Sequence, residues 1–445
     1  MKLEELQELV FRAGIVGAGG AGFPTHKKLS DKAEIIVVNA AECEPMVMVD
    51  HHIMQKHLQL IVDILNFLLD TMGAKQAIIG IKGKNMHLLD PEAVKNMEGT
   101  RVSVKEIPDV YPAGDEVVLT YETTGRIIPE GAIPLSVGVM VCNMETLFNI
   151  WKLFNEDTPV VEKYVNIGGD TEHDMTVKAP VGMKISELLA ACDCTELEGK
   201  RVINGGPMMG KLVDIEKDVV TKTTKGLLLL PETHPVIQRR LRPMSVTLKR
   251  ASAACCNCHM CSDMCPRNLL GHNLQVHKTL RAASHSEVTN AESFTQSALC
   301  CGCGVCTVVA CQQMLDPQAI SVAVKGELAK QGFKRTNNIT PEHVRPERAG
   351  RLVSSELLIQ RLGVGKYIKP EVKRDMRAFA PERVYIQMKQ HVGAPAVPTV
   401  KVGDTVKIGD IVAQTPENAF GTTMHASISG KVAEVSPFEV VIERQ

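Results

Sequence analysis

No charge of one sign dominates this chain: 50 Lys and Arg stand against 51 Asp and Glu, a formal net charge of -1 over 445 residues. A general nucleic-acid binder normally carries a strong basic excess, so that class is excluded, and net charge cannot steer an acidic substrate. Long apolar runs are missing too. GLLLLP (residues 226–231) is short and Asp63 interrupts LQLIVDILNFLL (residues 58–69), so neither approaches the roughly 18 apolar residues of a membrane span. Direct membrane insertion is therefore not expected. The opening MKLEELQELV lacks the basic start and apolar core of a signal peptide, which predicts a cytoplasmic protein. There is no low-complexity segment and no long repeat. What remains, 44% hydrophobic and 23% charged residues, is the composition of a soluble globular protein of about two to four units.

Cysteine is the informative residue. Ten of the 14 lie between Cys255 and Cys311, while Cys43, Cys142, Cys192 and Cys194 are scattered. In a reducing compartment such a cluster points to metal or redox chemistry rather than disulfides. Cys255, Cys258, Cys261 and Cys265, followed by Pro266, form a C-x2-C-x2-C-x3-C-P run of the bacterial ferredoxin type. Cys300, Cys303, Cys306 and Cys311 form a second run, with a four-residue last spacing and Gln312 in place of the proline. Zinc sites take their thiolates as two separated pairs and give no reason for a third at x2, so two 4Fe-4S clusters are the expectation. In two-cluster ferredoxins the fourth cysteine of each run serves the other cluster. The predicted ligand sets are thus Cys255, Cys258, Cys261 and Cys311, and Cys300, Cys303, Cys306 and Cys265. Cys256 and Cys301 fall outside the spacing and read as small buried hydrophobes.

Elsewhere the apolar pattern alternates. IIVVNA (Ile35–Ala40), AIIGIK (residues 77–82) and RVSVKEI (residues 101–107) read as strands, and a helix is predicted from about His52 to Met72, so the first part of the chain reads as an α/β unit. Shorter strands with the helix KISELLAAC (residues 184–192) give a small α+β module. LLGHNLQVHKTLRAA (residues 269–283) supplies helical patterning between the cysteine runs. A charged stretch with Pro341, Pro346, Pro370 and Pro381 reads as a linker holding the short helix SSELLIQRL (residues 354–362). Strand-like alternation with turns at Gly403, Asp404, Gly409 and Asp410 predicts a compact β module at the C-terminal end. The N-terminal apolar stripe of Leu3, Leu6, Leu9 and Val10 is expected to pack beneath the glycine loop; an encapsulation peptide is the rival use.

That loop, GAGGAGFPTHKK (residues 17–28), sets Gly17, Gly19 and Gly22 at G-x-G-x-x-G spacing, with Glu42 about 20 residues on, where a dinucleotide fingerprint expects an acid. No strand signal precedes Gly17, and Phe23 and Pro24 interrupt the helix that should follow. Its glycines let backbone N–H groups approach an anion, with His26, Lys27 and Lys28 beside them, which suits a phosphate-bearing cofactor. A tight turn with surface lysines is the plain alternative. A flavin is the cofactor an iron–sulfur relay most needs, because it takes a hydride and releases single electrons.

Together with NAAECEP (residues 39–45), DVYPAGDE (residues 109–116), INGGPMMG (residues 203–210) and GLLLLPETHPVIQRR (residues 226–240), the loop and the cysteine runs make the chain resemble the RnfC family of electron-transport proteins. Closer still is its similarity to the cobalamin reductases of propanediol-utilisation microcompartments. The first part is also similar to the 51 kDa flavin subunit of respiratory complex I. Module order favours the cobalamin reductases, since RnfC proteins carry the lipoyl-like module at the N-terminus. The resemblance implies an α/β flavin domain for FMN and NADH (1–158), a soluble-ligand-binding β-grasp module (159–240), a helical two-cluster ferredoxin-like domain (241–335), a linker with short helices (336–382) and a lipoyl-like all-β barrel-sandwich module (383–445). It implies FMN on the loop of Gly17, Gly19, Gly20, Gly22 and Phe23, with Lys28 adjacent. Asn39, Glu42, Glu44, Asp115 and Glu116 are then expected near flavin or NADH, and Asn143 near the ribityl phosphate. Taken singly, those carboxylates read as ordinary solvated acids. His173 and His234 read as polar surface residues rather than cobalt ligands, and HASISGKV (residues 425–432) lacks the lysine a lipoyl carrier modifies, so a docking or structural role is expected of that module.

The implied activity is an NADH-dependent cobalamin reductase. Electrons would pass from NADH through FMN and two 4Fe-4S clusters to cob(III)alamin and then cob(II)alamin, and the product would feed an ATP:cob(I)alamin adenosyltransferase in or on a bacterial microcompartment, beside its shell proteins. An Rnf-like protein passing electrons between NADH and ferredoxin shares every cofactor and differs in the acceptor. A non-catalytic scaffold is the rival from a different class.

Overall fold

The computed structural model describes residues 1–286, 290–335, 339–369, 372–374, 378–417 and 419–445. Pro370 lies outside the described residues, as does the start of the expected linker at residues 336–338.

After helix α1 (Leu3–Arg12), the first module carries strand β1 (Ile35–Ala40), helices α2 (Val49–Lys56) and α3 (Leu58–Met72), and strand β2 (Gln76–Lys82). Helix α4 (Pro91–Asn96), strands β3 (Val102–Ile107) and β4 (Val110–Tyr111), helix α5 (Glu116–Thr124), strand β5 (Val139–Asn143) and helix α6 (Met144–Glu156) follow. Four of the strands form an all-parallel sheet in the order β3-β2-β1-β5. Strands covered on both faces read as continuous β-branched runs, as IIVVNA does. The helix expected from His52 to Met72 is broken at His57, whose φ of -132° is not helical. Its ring stacks on Phe148 at 4.5 Å and lies against Tyr164, and that aromatic packing outweighs continuation of the helix. Leu6 and Val10 of α1 are fully buried, and Gln7 donates to Leu29 O at 2.7 Å, so this helix packs beneath the glycine loop.

The second module holds strands β6 (Glu162–Gly169) and β7 (Asp174–Pro180), helix α7 (Ile185–Ala191) and strands β8 (Lys200–Asn204), β9 (Lys211–Leu212) and β10 (Gly226–Pro231). Its mixed sheet gains an edge strand, Val372–Arg374, from the stretch read as a linker. That stretch is packed rather than loose. Val353–Ser354 pairs with β4, the buried Lys82 ammonium donates to Ser355 Oγ at 2.9 Å, and Leu358, Leu362 and Val364 enter the core around Tyr111. The short helix read there forms over Ser355–Leu362, but the surrounding charge and prolines hid that its apolar side packs into the fold. Between the cysteine runs, the helical pattern of residues 269–283 yields a helix only over Val276–Ser284, after a turn at Gly271 with φ +97°.

The C-terminal module packs a four-stranded sheet against a three-stranded one over a common core that includes Val384, Val412 and Val440. The Thr422 and Thr423 hydroxyls donate to Phe11 O and Arg12 O at 2.9 and 2.8 Å, tying this module to the end of α1.

Candidate active site and cluster sites

From β1 the chain crosses to β2 on one side, while β5 returns to the other, so strand order reverses between β1 and β5. In a parallel sheet a crevice opens there, outside the carboxyl ends of the strands. Asn39 and Asn143 face each other across the last pair of that ladder. The glycine loop closes over them. A Cβ on Gly19 would sit 2.6 Å from Asn143 Nδ2, whereas Gly20, at φ +64°, faces open space. Ala18 N–H donates to Thr146 Oγ1 at 2.9 Å and pins the loop to the first turn of α6. The crevice widens into a cavity of about 630 Å³, lined by Gly19, Gly20, Asn39, Glu42, Glu44 and Asn143 from the first module. Asn204, Gly205, Gly206, Thr221 and Lys225 line it from the second. A cradle of glycines and amides of this size fits a flavin mononucleotide.

Six expected residues lie elsewhere. Gly17 N–H donates to Phe23 O at 2.8 Å and closes the loop on itself; Gly22 is packed against Thr223 and His391. Phe23 meets Phe420 edge-on at 5.0 Å. Lys28 pairs with Glu116 at 2.6 Å and donates to Val141 O, so its charge is already matched and it lines a separate small hollow. Asp115 caps α5 and is held by Arg267 at 2.8 Å. Val16 makes only an isolated bridge to Pro24, so the loop is not the strand-to-helix turn of a dinucleotide fingerprint.

Two carboxylates are drawn into the cavity wall. Glu42 accepts from Asp50 N–H and His51 N–H at the start of α2, with the Lys225 ammonium 3.4 Å away. Burial, reinforced by the neighbouring Asp50, pushes its carboxyl up to about 8. Glu44 accepts from Met208 N–H and Met209 N–H at 3.0 and 2.9 Å, and burial pushes it up to about 7. Lys225 was not singled out from the sequence, and the Asn204, Gly205 and Gly206 turn, part of the INGGPMMG motif that carried the resemblance, was given no site role although its paired glycines were a usable signal. Gly206 has no room for a side chain, because a Cβ there would lie 2.2 Å from Glu44 Oε2. Gly206→Ala should therefore displace Glu44 and weaken flavin retention by about tenfold, roughly 1.4 kcal/mol, read by fluorescence titration of the apoprotein with FMN.

The raised Glu44 pKa also sets a pH dependence. The folded chain keeps a proton on Glu44 that the unfolded chain releases near the ordinary value of 4.5. Stability from this group is therefore full below that value and is lost as pH rises toward about 7. The urea midpoint of the apoprotein should fall between about pH 5 and 7.5, and Glu44→Gln should flatten that slope, with Glu42 supplying the remainder in the same direction.

The thiols gather in two places. Cys261 interacts electrostatically with Cys311, Cys255 and Cys258, and these four line one small surface hollow. Cys306 faces Cys300 and Cys265, and Cys303 faces Cys265 and Cys306. Burial pushes Cys261 and Cys265 up to about 12 and Cys300 to about 11, so these thiols stay protonated unless a metal takes the proton's place. At each place the four run cysteines, with Cys256 beside the first set and Cys301 beside the second, fit an iron–sulfur centre by donor number and type. Cys256 is exposed, contrary to its reading as a buried hydrophobe, because it sits on the outer loop of the first run. Cys301 is enclosed by Cys303 and Arg267. The second place shares a wall with the cavity: Cys43 lines the cavity and packs in one apolar cluster with Tyr111, Cys301 and Cys303, and Tyr111 O–H donates to Cys303 O at 2.7 Å.

Family models match three parts of the chain: a Nuo51 FMN-binding domain over residues 10–152, a 4Fe-4S dicluster domain over residues 254–316, and an RnfC barrel sandwich hybrid domain over residues 371–445. Among curated relatives, the cobalamin reductase PduS of Salmonella typhimurium is 37% identical, across 100% of this chain and 97% of its own. PduS of Citrobacter freundii is 35% identical, across 99% and 97%. The C component of the Na(+)-translocating ferredoxin:NAD(+) oxidoreductase complex of Acetobacterium woodii is 29% identical, across 65% of this chain and 64% of its own. With relatives matched end to end and flavin, cluster and barrel-sandwich modules in one chain, the protein belongs to the PduS cobalamin reductase family.

Proposed function

We propose that the chain passes electrons from NADH through FMN and two 4Fe-4S clusters to cobalamin, taking cob(III)alamin to cob(II)alamin and then to cob(I)alamin. The observation that carries this reading is the Cys43 and Tyr111 wall between the glycine-lined cavity and the buried thiols, on a chain that matches cobalamin reductases along its whole length. When bound, FMN supplies the conversion of a two-electron hydride into the single electrons that iron–sulfur centres accept. Gly19, Gly20, Asn39 and Asn143 would hold the flavin, and Glu42 and Glu44 would meet it or NADH. Cys255, Cys258, Cys261 and Cys311 would hold one cluster and Cys265, Cys300, Cys303 and Cys306 the other. Lys225 pairs with the Asp50 carboxylate at 2.6 Å beside Glu42 at the cavity wall, and the apolar packing around Tyr111 keeps water out of the path.

The mixed sheet of the second module reads as the ligand-binding β-grasp. The C-terminal module, through Thr422 and Thr423, serves as structure rather than as a carrier. An ATP:cob(I)alamin adenosyltransferase would consume the product, and a propanediol-utilisation microcompartment with its shell proteins is the setting this family membership supports.

The test is anaerobic mixing of the FMN- and iron-reconstituted protein with NADH and hydroxocobalamin, followed by the corrinoid spectrum beside a dye control. Corrinoid reduction supports the reading; dye reduction with an unchanged corrinoid moves the acceptor to a protein, as in the Rnf-like alternative.

A further inference from the structure

The two thiol sites differ in exposure. Cys265, Cys300, Cys303 and Cys306 are all buried, behind the wall they share with the cavity. Around the other site, residues 252–254, 256–259 and 312–314 are exposed, Cys258 among them. His259 lies on that rim and stacks on His277 at 4.0 Å. Electrons that enter from the cavity therefore meet the buried site first and reach solvent at the exposed one.

The surface around that exit has an unusual charge pattern. Residues 241–259, 276–285 and 311–314 contain no Asp or Glu. Lys249, Arg250 and Lys278 are exposed and Arg281 is partly so; Arg250 reaches Met314 O at 3.5 Å, beside Cys311. Lys249 stands six residues before Cys255, about 9 Å along the helix. Asp263 is held by Arg351 at 3.2 Å, and Asp316, two residues after Met314, is buried and accepts from Thr307 Oγ1 at 2.9 Å. Met244, Val246 and Met314 add exposed apolar area. A basic rim around apolar residues is the complement of an acidic protein face, and charge of this kind sets encounter and orientation.

We infer that electrons leave the chain at the face around Cys258, and that this face receives the corrinoid on a partner protein that docks through an acidic surface. The inference rests on the electron-transfer reading above and adds where, and to what kind of partner, delivery occurs. Each NADH oxidised to NAD+ releases one proton and two electrons, so two one-electron deliveries at this face, each reducing the partner's acceptor by one electron, balance one turnover.

The test uses the full reconstituted chain, immobilised for surface plasmon resonance, with an acidic bacterial two-cluster ferredoxin as probe and basic horse cytochrome c as control, in 25 and 200 mM NaCl. The ferredoxin should bind and cytochrome c should not. Ferredoxin affinity should fall by about tenfold or more at the higher salt and in the double variant K249E and R250E. The electron paramagnetic resonance spectrum of the dithionite-reduced variant should match that of the parent, which shows the sites intact. Equal binding of both probes, or unchanged ferredoxin affinity in the double variant, overturns the inference and leaves a free corrinoid as the species that meets the chain. Clusters that NADH fails to reduce, in a chain that still binds ferredoxin in this charge-dependent way, would break the electron-transfer reading while supporting the face.

Discussion

Cys303→Ala should remove about four of about eight irons per chain and abolish corrinoid reduction, while FMN binding and flavin reduction by NADH persist. The separation follows from position. Cys303 lies behind the Cys43 and Tyr111 wall, and no predicted flavin residue depends on its side chain; Tyr111 bonds its backbone carbonyl, which alanine retains. Cys258→Ala, at the exposed site, should also lose about four irons and the corrinoid activity, but should leave an NADH-reducible cluster signal from the buried site. Iron analysis, bound-flavin absorbance and electron paramagnetic resonance of NADH-reduced samples measure each part. A Cys303→Ala protein that still passes electrons from NADH to the exposed site would refute the order of the two sites. Loss of flavin from the same variant would instead mean that the wall is shared structurally and not only electronically.

The second large effect concerns stability. Lys163 and Glu145 form an ion pair in which both side chains are almost wholly buried, and Glu145 also accepts from Tyr164 N–H at 3.1 Å. Such a pair adds little over apolar residues of the same shape, yet removing one partner strands the other charge. Lys163→Met should destabilise the junction of the first two modules by about 3–5 kcal/mol, visible as a lower urea midpoint of the transition that contains them. The double change Lys163→Met with Glu145→Leu should recover most of that loss, because it removes the stranded carboxylate as well. A single variant as stable as the parent would mean that Glu145 is protonated or hydrated in its place.

Legibility followed the range of each signal. The ferredoxin runs are local: spacing of two residues between thiols announces a cluster turn without knowledge of the rest of the chain, and the strands of the α/β unit announced themselves by their β-branched runs, though not their parallel pairing. The glycine loop was legible as a cradle but not in its partners. Lys28 looked available for a phosphate and is instead paired with Glu116, 88 residues away, and Asp115, which by itself read as a solvated acid and only by resemblance stood near flavin or NADH, is tied to Arg267 between the cysteine runs. Ion pairs between distant segments leave no periodicity to read. The same holds for the expected linker, whose short apolar stripe has meaning only once β4 and Lys82 are beside it.

By itself, then, the sequence determined the chemistry this protein brings: eight thiols in two ferredoxin runs, a glycine loop and the strands of an α/β unit to carry it, because residue type and short spacing suffice for each. Only the tertiary structure decided which groups meet. It drew Glu44 from the first module onto the Met208 and Met209 amides of the second, placed one set of thiols behind the cavity wall and the other at the surface, and exposed Cys256 while enclosing Cys301. Burial is a property of the packed chain, and it alone separates these chemically identical groups.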